Sequence, residues 1–402
     1  MIKILLMLYP KILGFIEKNI IYLILSTYLF YMFFFYFAPD FLIFHKRMEF
    51  GYLSGGDTKK YILGSEQILN LELPIQKSYI GYMLYISFFQ YFKLNLAYVV
   101  ISQIFLSLVS SLCLYKITTK LSSRFGGIFC LSLYLFYFPI QVWNFYILTE
   151  TLFICSIIFI IFFLIFFKKK YIPIIIILFI FTISIKPHGI ILIPSFFLAF
   201  IIWAYLKNNL KIIWFLILTL CVLLYPTILI LNLYLAENNL ENIMPNAPII
   251  WGYKEMYHSS GFKISDTNNG DIYSLLIFLK NNLDIFMGSF FKKVWFFLAR
   301  VRPYYSDFHN FYIIVFNIIY YPLALYGLIK LKSKKLLGTI LMYSLILFFT
   351  FTAGLTYADW DGRFSLYITP LFFIFTSIGL VEINNLRKNK INSFKNKASH
   401  NQ

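Results

Sequence analysis

The chain has 402 residues, of which 60% are hydrophobic and 21% aromatic, while only 13% are charged. This balance is far from that of a soluble globular domain, and it indicates a membrane protein. The formal net charge of +18 raises the question of a nucleic-acid partner. The four cysteines fall in apolar runs without regular spacing, which predicts small buried side chains instead of a disulfide framework or metal site.

Ten apolar runs have about the length that crosses the roughly 30 Å hydrocarbon core of a bilayer. The first run is too long for the apolar part of a signal peptide, and no small-residue cleavage site follows it, so we predict a retained membrane helix. A further apolar segment, 79–92, would be only about 21 Å long as a helix, and we interpret it as interfacial or re-entrant. The runs lie at 19–37, 96–115, 125–142, 148–167, 171–186, 190–206, 212–235, 311–329, 337–356 and 364–381. The sequence therefore predicts an all-α polytopic membrane protein with about ten transmembrane helices, and a count of nine to twelve stays open.

Basic residues cluster in alternate connections between these runs. If both termini are cytoplasmic and 79–92 does not cross, the inner segments hold 20 of the 35 Lys and Arg residues and only two acids, Glu17 and Glu382. Short cytoplasmic loops of multi-pass proteins are enriched in Lys and Arg, so we predict a multi-pass protein of the inner or plasma membrane with both termini inside. The charge then reflects topology and attraction to anionic lipid, and no nucleic-acid partner is predicted.

The two longest connections, 38–95 and 236–310, lie on the extracytoplasmic face in this topology. Loops of this length are usually functional, so we expect the active site on that face. The segment 281–303 alternates apolar residues with lysines and arginines, as an interfacial helix would. We interpret residues 1–382 as one transmembrane catalytic domain with interfacial helices in both long loops, and residues 383–402 as a basic cytoplasmic tail.

The first outer loop contains a polar island, Gly55-Gly56-Asp57, directly before the stretch TKKYILGSEQIL. Apolar residues recur in that stretch at helical spacing, which places Asp57 at the start of a helix. One interpretation is an N-cap, in which the carboxylate accepts hydrogen bonds from free amides and the glycines let the chain turn. The other is a general base on an exposed turn. The two interpretations are compatible.

This island also resembles a motif of a known family. An acid followed by a tyrosine and a short helix, here Asp57 and Tyr61, is similar to the first outer loop of the GT-C glycosyltransferases that use polyprenyl-phosphate sugars. Three later stretches resemble further motifs of that family in the same order. They are YILTETLF (146–153) with Glu150, SIKPHGIILIP (184–194) with Lys186 and His188, and DGRFSLYITPLFF (361–373) with Arg363. The resemblance covers residues 15–381 and is closest to family 39 and to the aminoarabinose-transferase and RgtA-like bacterial groups.

The resemblance implies an enzyme of the GT-C fold that moves a sugar from a polyprenyl-phosphate carrier to a hydroxyl of a lipid, glycan or protein acceptor, with inversion at the anomeric carbon. Asp57 would then be the catalytic base, and Tyr61 and Glu150 would contribute to substrate binding. The departing phosphate needs cations, and arginine forks suit phosphate best. The candidate cations are Lys186, His188, Arg300, Arg302 and Arg363. Expected partners are the lipid-linked donor, the acceptor and membrane lipids.

Several candidates also have a purely structural interpretation. Glu150 could be only a polar helix-end residue or could orient a lysine or a sugar hydroxyl, and Lys186 could only extend its amine to the membrane surface. Arg363 could form a structural ion pair with Asp359 or Asp361. A divalent cation between Asp57 and Glu150 stays open as an alternative, but two separated acids are not a metal signature. We predict no metal and no other cofactor.

Two other classes of function compete with a glycosyltransferase. A transporter or flippase for lipid-linked glycans would place ionisable groups near the membrane midplane, and none of the ten runs has a charge in its middle. An O-antigen-type polymerase or ligase would share the lipid donor but would depend mainly on outer arginines and histidine. Replacement of Asp57 by asparagine separates the three, because only the transferase needs that carboxylate as a base.

Overall fold

The structure is a computed structural model that describes residues 19–34, 52–74, 76–211, 214, 218, 248–250, 252, 272–331, 336–356, 358–359 and 362–400. In these residues the regular secondary structure is helical, and β-type contacts are limited to an isolated parallel bridge between Leu53 and Tyr146 and a bridge residue at Pro248. The predicted all-α class is therefore confirmed for the described part of the chain. The predicted run 212–235 and most of the connection 236–271 lie outside it.

Fourteen α-helices occur in the described residues. In chain order, α1 to α7 are Asn19–Phe34, Thr58–Leu69, Ile80–Tyr91, Ala97–Leu121, Arg124–Phe136, Phe138–Gln141 and Glu150–Ile165. Helices α8 to α14 are Ile172–Ile185, Leu192–Leu206, Ile272–Asn281, Leu283–Ala299, Asp307–Lys330, Leu337–Leu355 and Thr369–His400. Short 3-10 turns at Lys77–Tyr79, Val142–Phe145, Lys169–Tyr171, Pro187–Ile191 and Phe364–Tyr367 connect or extend them.

Five of the described helices are long and apolar enough to cross a membrane. They are α4, α9 with the turn before it, α12, α13 and the first part of α14. A sixth span results if α5 and the bent segment Phe138–Phe145 count as one, although the axis changes direction by 56° at the break. Helices α1 and α7 are apolar but shorter. These helices agree with an all-α membrane protein, whereas the predicted number of ten spans stays a prediction.

The break in the predicted span 125–142 has a local cause. Helix α5 ends at Phe136, Tyr137 has an extended backbone, and Pro139 lies in the first turn of α6. Proline is favourable at the start of a helix but removes a hydrogen bond in its interior. Hydropathy alone measures apolar length, so it joined two helices that the backbone separates.

The contacts divide the chain into two compact units. The first comprises Met1–Gly189, Leu323–Lys332 and Phe373–Gln402, and the second comprises Ile190–Pro322 and Ser333–Phe372. In the first unit, α4 packs on α5 and α7, α2 packs on α3, and α8 packs on α3 and α7. In the second unit, α13 packs on α9 and α11. The segment 79–92 forms α3, whose 12 residues extend for only about 18 Å.

Two glycines let α12 and α14 approach closely within the first unit. A Cβ atom on Gly327 would collide with the carbonyl oxygen of Phe375, and one on Gly379 would collide with the carbonyl oxygen of Leu323. Because both obstacles are backbone atoms, neither can rotate away. Small residues commonly allow such approach between membrane helices.

We therefore expect Gly379→Ala to destabilise the protein by about 1–3 kcal/mol, the usual cost of overpacking. The measurement is the thermal unfolding midpoint of the purified protein in detergent. Gly288→Ala is the matched control, because a Cβ atom at Gly288 meets nothing within 4 Å. An unchanged midpoint for Gly379→Ala would show that the two backbones are not in contact.

Candidate functional site

The polar island of the first loop lies against the turn that leads into α7. The amide of Leu53 donates to the carbonyl of Phe145 at 2.8 Å, and the Thr58 hydroxyl donates to the carbonyl of Ile147 at 3.2 Å. The same hydroxyl accepts a hydrogen bond from the amide of Gly55 at 2.8 Å. The island, residues 55–57, is thus attached on both sides to a turn about ninety positions later in the chain.

Asp57 lies directly before α2, as the sequence predicts, but its side chain does not cap the helix. Its backbone has φ −93° and ψ −10°, in the helical region, whereas a capping residue usually has an extended backbone that turns its side chain back to the free amides. The capping interpretation is therefore wrong. The carboxylate instead pairs with Lys60 one turn later, at 2.5 Å, and a third of the Asp57 side chain remains exposed.

Glu150 and Lys186 form a buried ion pair. Glu150 is the first residue of α7, and Lys186 follows the last residue of α8 with an extended backbone. The Lys186 Nζ atom lies 3.0 Å from Glu150 Oε1, and the two residues are 3% and 1% exposed. The alternative in which Lys186 extends its amine to the membrane surface is therefore wrong. Glu150 is a helix-end residue that also pairs with a lysine, so both descriptions hold, and a contact of Glu150 with a sugar hydroxyl stays a prediction.

Tyr61 belongs to an aromatic group formed by α2, α3 and the turn before α3. Its ring lies 5.2 Å from the rings of Tyr79 and Tyr82, and the residue is buried. Burial raises the pKa of Tyr82 well above its usual value, and the charge of Glu150 adds to this effect.

A buried network of polar side chains supports the turn before Glu150, and the sequence did not predict it. Gln103 on α4 donates to the carbonyls of Asn144 and Tyr146 at 2.9 and 2.8 Å. The side-chain oxygen of Gln141 accepts from Tyr28, Ser107 and Asn144, and Thr151 donates to Asn144 at 2.9 Å. Amides inside otherwise apolar runs were the available signal. Because buried polar groups need partners, such amides indicate a contact.

In the second unit, Arg302 and Arg363 interact with the segment that contains Ala358 and Asp359. Arg302 is fully buried, and its guanidinium donates to the carbonyls of Phe296, Val301 and Ala358 at 2.7, 3.0 and 3.2 Å. Burial lowers its pKa, while nearby Tyr304, Tyr305 and Asp359 act in the opposite direction. These three contacts tie the end of α11 to the segment before Gly362. Arg302 thus has the surroundings of a residue that holds backbone segments together.

Two further arginines, Arg363 and Arg300, lie close to Asp359 and to Gly362, respectively. The Nε atom of Arg363 is 3.6 Å from Asp359 Oδ1, while the other carboxylate oxygen accepts from the amide of Phe364 at 3.2 Å. The predicted structural pair with Asp359 is therefore present, and Asp361 lies outside the described residues. Gly362 has a positive φ of 66°, and a Cβ atom there would lie within 3.4 Å of both Arg302 and Arg300. Only glycine adopts this backbone at low cost so close to the side chains.

The structure thus forms two groups from the predicted site residues. Asp57, Tyr61, Glu150 and Lys186 belong to the first unit, and half-buried His188 follows Lys186 in the turn Pro187–Ile191. Arg300, Arg302 and Arg363 belong to the second unit. A single cavity shared by all eight residues stays a prediction. Among the described residues, no three His, Cys, Asp or Glu side chains lie close enough together to hold a metal ion.

No family model matches the sequence, and no curated protein or solved structure is significantly similar to it. Function must therefore be argued from the residues and their arrangement.

Proposed function

We propose that this protein is an integral-membrane glycosyltransferase of the GT-C type, which transfers a sugar from a polyprenyl-phosphate carrier to an acceptor hydroxyl. The observation that supports this most is the convergence of three separated motifs in the first unit. The island with Asp57 lies on the turn before Glu150, and Glu150 in turn pairs with Lys186. The family resemblance requires these motifs to meet, although more than a hundred residues separate the first from the last.

In the proposed reaction, Asp57 accepts the proton of the acceptor hydroxyl. The acceptor oxygen then bonds to the anomeric carbon, and the bond from that carbon to the phosphate oxygen breaks. The products are the glycosylated acceptor and polyprenyl phosphate, with inversion because there is a single displacement. A partly exposed carboxylate, held in place by Lys60, fits this role, since a general base must reach the proton that it removes.

The departing phosphate needs positive charge near the oxygen that receives the bonding electrons. Of the three arginines in the second unit, Arg302 already donates to three backbone carbonyls, and we assign it to holding the segments around Asp359. Arg363 keeps about a quarter of its side chain exposed and is our first candidate to contact phosphate. Lys186 is buried beside Glu150, where it would add positive potential and fix the geometry of the turn.

The proposed site faces the outside of the cell or the periplasm, and both termini are cytoplasmic. This orientation rests on the distribution of Lys and Arg along the sequence. A polyprenyl-phosphate sugar presented on the outer face would then reach Asp57 directly.

Deletion of the gene tests the proposal in cells. We expect a lipid-linked sugar to accumulate and one glycan of the cell envelope to lose that sugar, both detected by mass spectrometry. Complementation with the wild-type chain should restore the glycan, while the Asp57→Asn variant should not. An unchanged set of lipid-linked sugars and envelope glycans in the deletion strain would refute a transferase.

A transporter for lipid-linked glycans is the alternative that one observation favours. Buried ionisable groups in helical membrane proteins often mark substrate or ion pathways, and Glu150 with Lys186 is such a pair. A transporter would depend on that pair and would not need the carboxylate of Asp57. The test is translocation of a fluorescent lipid-linked sugar across the membrane of proteoliposomes that contain the protein. Equal translocation by the wild type and by Asp57→Asn would favour the transporter.

A further inference from the structure

The first unit contains a cavity that has no role in the proposed reaction. It has a volume of about 490 Å³ and lies between the end of α4, the start of α5, the end of α12 and the middle of α14. Its polar lining residues are Ser122, Ser123, Lys330, Glu382, Asn384, Asn385 and Lys388. Apolar side chains, including Leu121 and Ile378, form the rest of its wall.

The helix ends that surround this cavity place it near a membrane boundary. Leu121 and Lys330 are the last residues of α4 and α12, two helices long and apolar enough to cross a membrane, and a third such span in α14 ends near Lys388. Gln103, which supports the turn before Glu150, lies 18 positions before Leu121 on α4, or about 27 Å away along the axis. The cavity is therefore at the opposite end of α4 from the proposed catalytic residues.

The charged groups of the cavity are not paired with one another. Within the described residues, Lys330, Lys388 and Glu382 form no ion pair, and Lys330 only lies over the ring of Tyr326 at 5.7 Å. The Ser122 hydroxyl oxygen is buried and has no hydrogen-bond partner among the residues that the structure describes. The cavity thus offers two ammonium groups, a hydroxyl and a carboxylate to a ligand that carries both signs of charge.

We propose that this cavity binds the headgroup of an aminophospholipid, such as phosphatidylethanolamine. The phosphate would lie between the ammonium groups of Lys330 and Lys388 and accept a hydrogen bond from Ser122. The primary ammonium of the headgroup would pair with Glu382, beside the amide oxygens of Asn384 and Asn385. Basic pockets between membrane helices are known to hold lipid headgroups, and the apolar wall would contact the first part of the acyl chains. The inference does not depend on the proposed transferase activity.

Native mass spectrometry of the purified full-length chain tests this proposal. The detergent-solubilised protein is mixed with equal amounts of phosphatidylethanolamine, phosphatidylglycerol and phosphatidylcholine, and the bound fraction of each is measured. We expect the wild type to retain phosphatidylethanolamine preferentially. Lys330→Gln/Lys388→Gln should weaken retention of all three about tenfold, which corresponds to about 1.4 kcal/mol. Glu382→Gln should remove only the preference for phosphatidylethanolamine.

The matched control is Lys168→Gln/Lys169→Gln. These lysines follow α7, whose last residue, Ile165, accepts a hydrogen bond from Lys120 near the end of α4, but they do not line the cavity. The control should bind lipid as the wild type does. Equal retention by the cavity variant and the wild type, or no preference among the three lipids, would overturn the proposal. Soluble phosphoethanolamine that displaces the lipid at equimolar concentration would overturn the assignment to a membrane lipid and identify a free phosphate ester instead.

Discussion

Asp57→Asn is expected to lower sugar transfer by about 100- to 10,000-fold, the range that a general base contributes. Asparagine has nearly the same shape as aspartate but cannot accept the proton of the acceptor hydroxyl. The side chain is partly exposed, and its one ion pair, with Lys60, is at the surface, where such pairs contribute about 1 kcal/mol or less. The protein should therefore stay folded while its activity falls.

The measurement is the rate of transfer from a polyprenyl-phosphate sugar in membranes that contain equal amounts of each variant. Glu66→Gln provides the control, because Glu66 is an exposed acid on the same helix, α2, but lies outside the island. It should transfer sugar at the rate of the wild type. If Asp57→Asn retains more than a third of the transfer activity, Asp57 is not the base, and an O-antigen-type polymerase or ligase becomes the better interpretation.

Glu150→Gln is expected to destabilise the first unit by about 3–5 kcal/mol, because it leaves the ammonium of Lys186 buried without its counter-charge. Both residues are almost fully buried, so water cannot compensate the remaining charge. Glu150→Leu combined with Lys186→Met removes both charges and should recover most of the lost stability, since an apolar pair of similar volume often replaces a buried ion pair at little cost.

A double-mutant cycle of Glu150→Leu, Lys186→Met and their combination, followed by thermal unfolding in detergent, measures this coupling. The exposed pair of Asp57 and Lys60 supplies the comparison, since its cycle should give a coupling energy several times smaller. If the stability losses of the two single variants sum to the loss of the double variant, Glu150 and Lys186 are not coupled. That result would contradict the buried ion pair. The double variant should also be inactive, because the proposed transferase needs the oriented turn and the positive charge of Lys186 as well as a stable fold.

The elements with strong local signals were predicted well from the sequence. The helix after Asp57, the short helix α3 and most of the apolar runs appear where periodicity and hydropathy placed them. The capping role of Asp57 was wrong because it depends on one backbone torsion, which composition does not encode. The broken span at Tyr137 shows the same limit. Apolar length and backbone continuity are separate properties.

The sequence identified candidate residues by their chemical type, but it did not predict what surrounds each of them. The sequence places Arg302 in a long loop, where a cation is usually exposed. In the structure Arg302 is buried and donates to the carbonyls of Phe296 and Ala358, which lie 62 positions apart. The network around Gln141 and Asn144 was missed for the same reason. Each of these polar groups has a hydrogen-bond partner that is distant in the sequence. A single sequence does not show which distant residues come into contact.

The proposed transferase requires the island that contains Asp57 to face the outside of the membrane, and side-specific labelling tests this directly. Gly56 is exposed, and a Cβ atom there meets nothing within 4 Å, so Gly56→Cys should not disturb the fold. We predict that a membrane-impermeant maleimide added to intact cells, or to spheroplasts if an outer membrane blocks access, labels Gly56→Cys at once. A cysteine at Lys169 should react only after permeabilisation. Labelling of Gly56→Cys that requires permeabilisation would place Asp57 in the cytoplasm and contradict the proposed site.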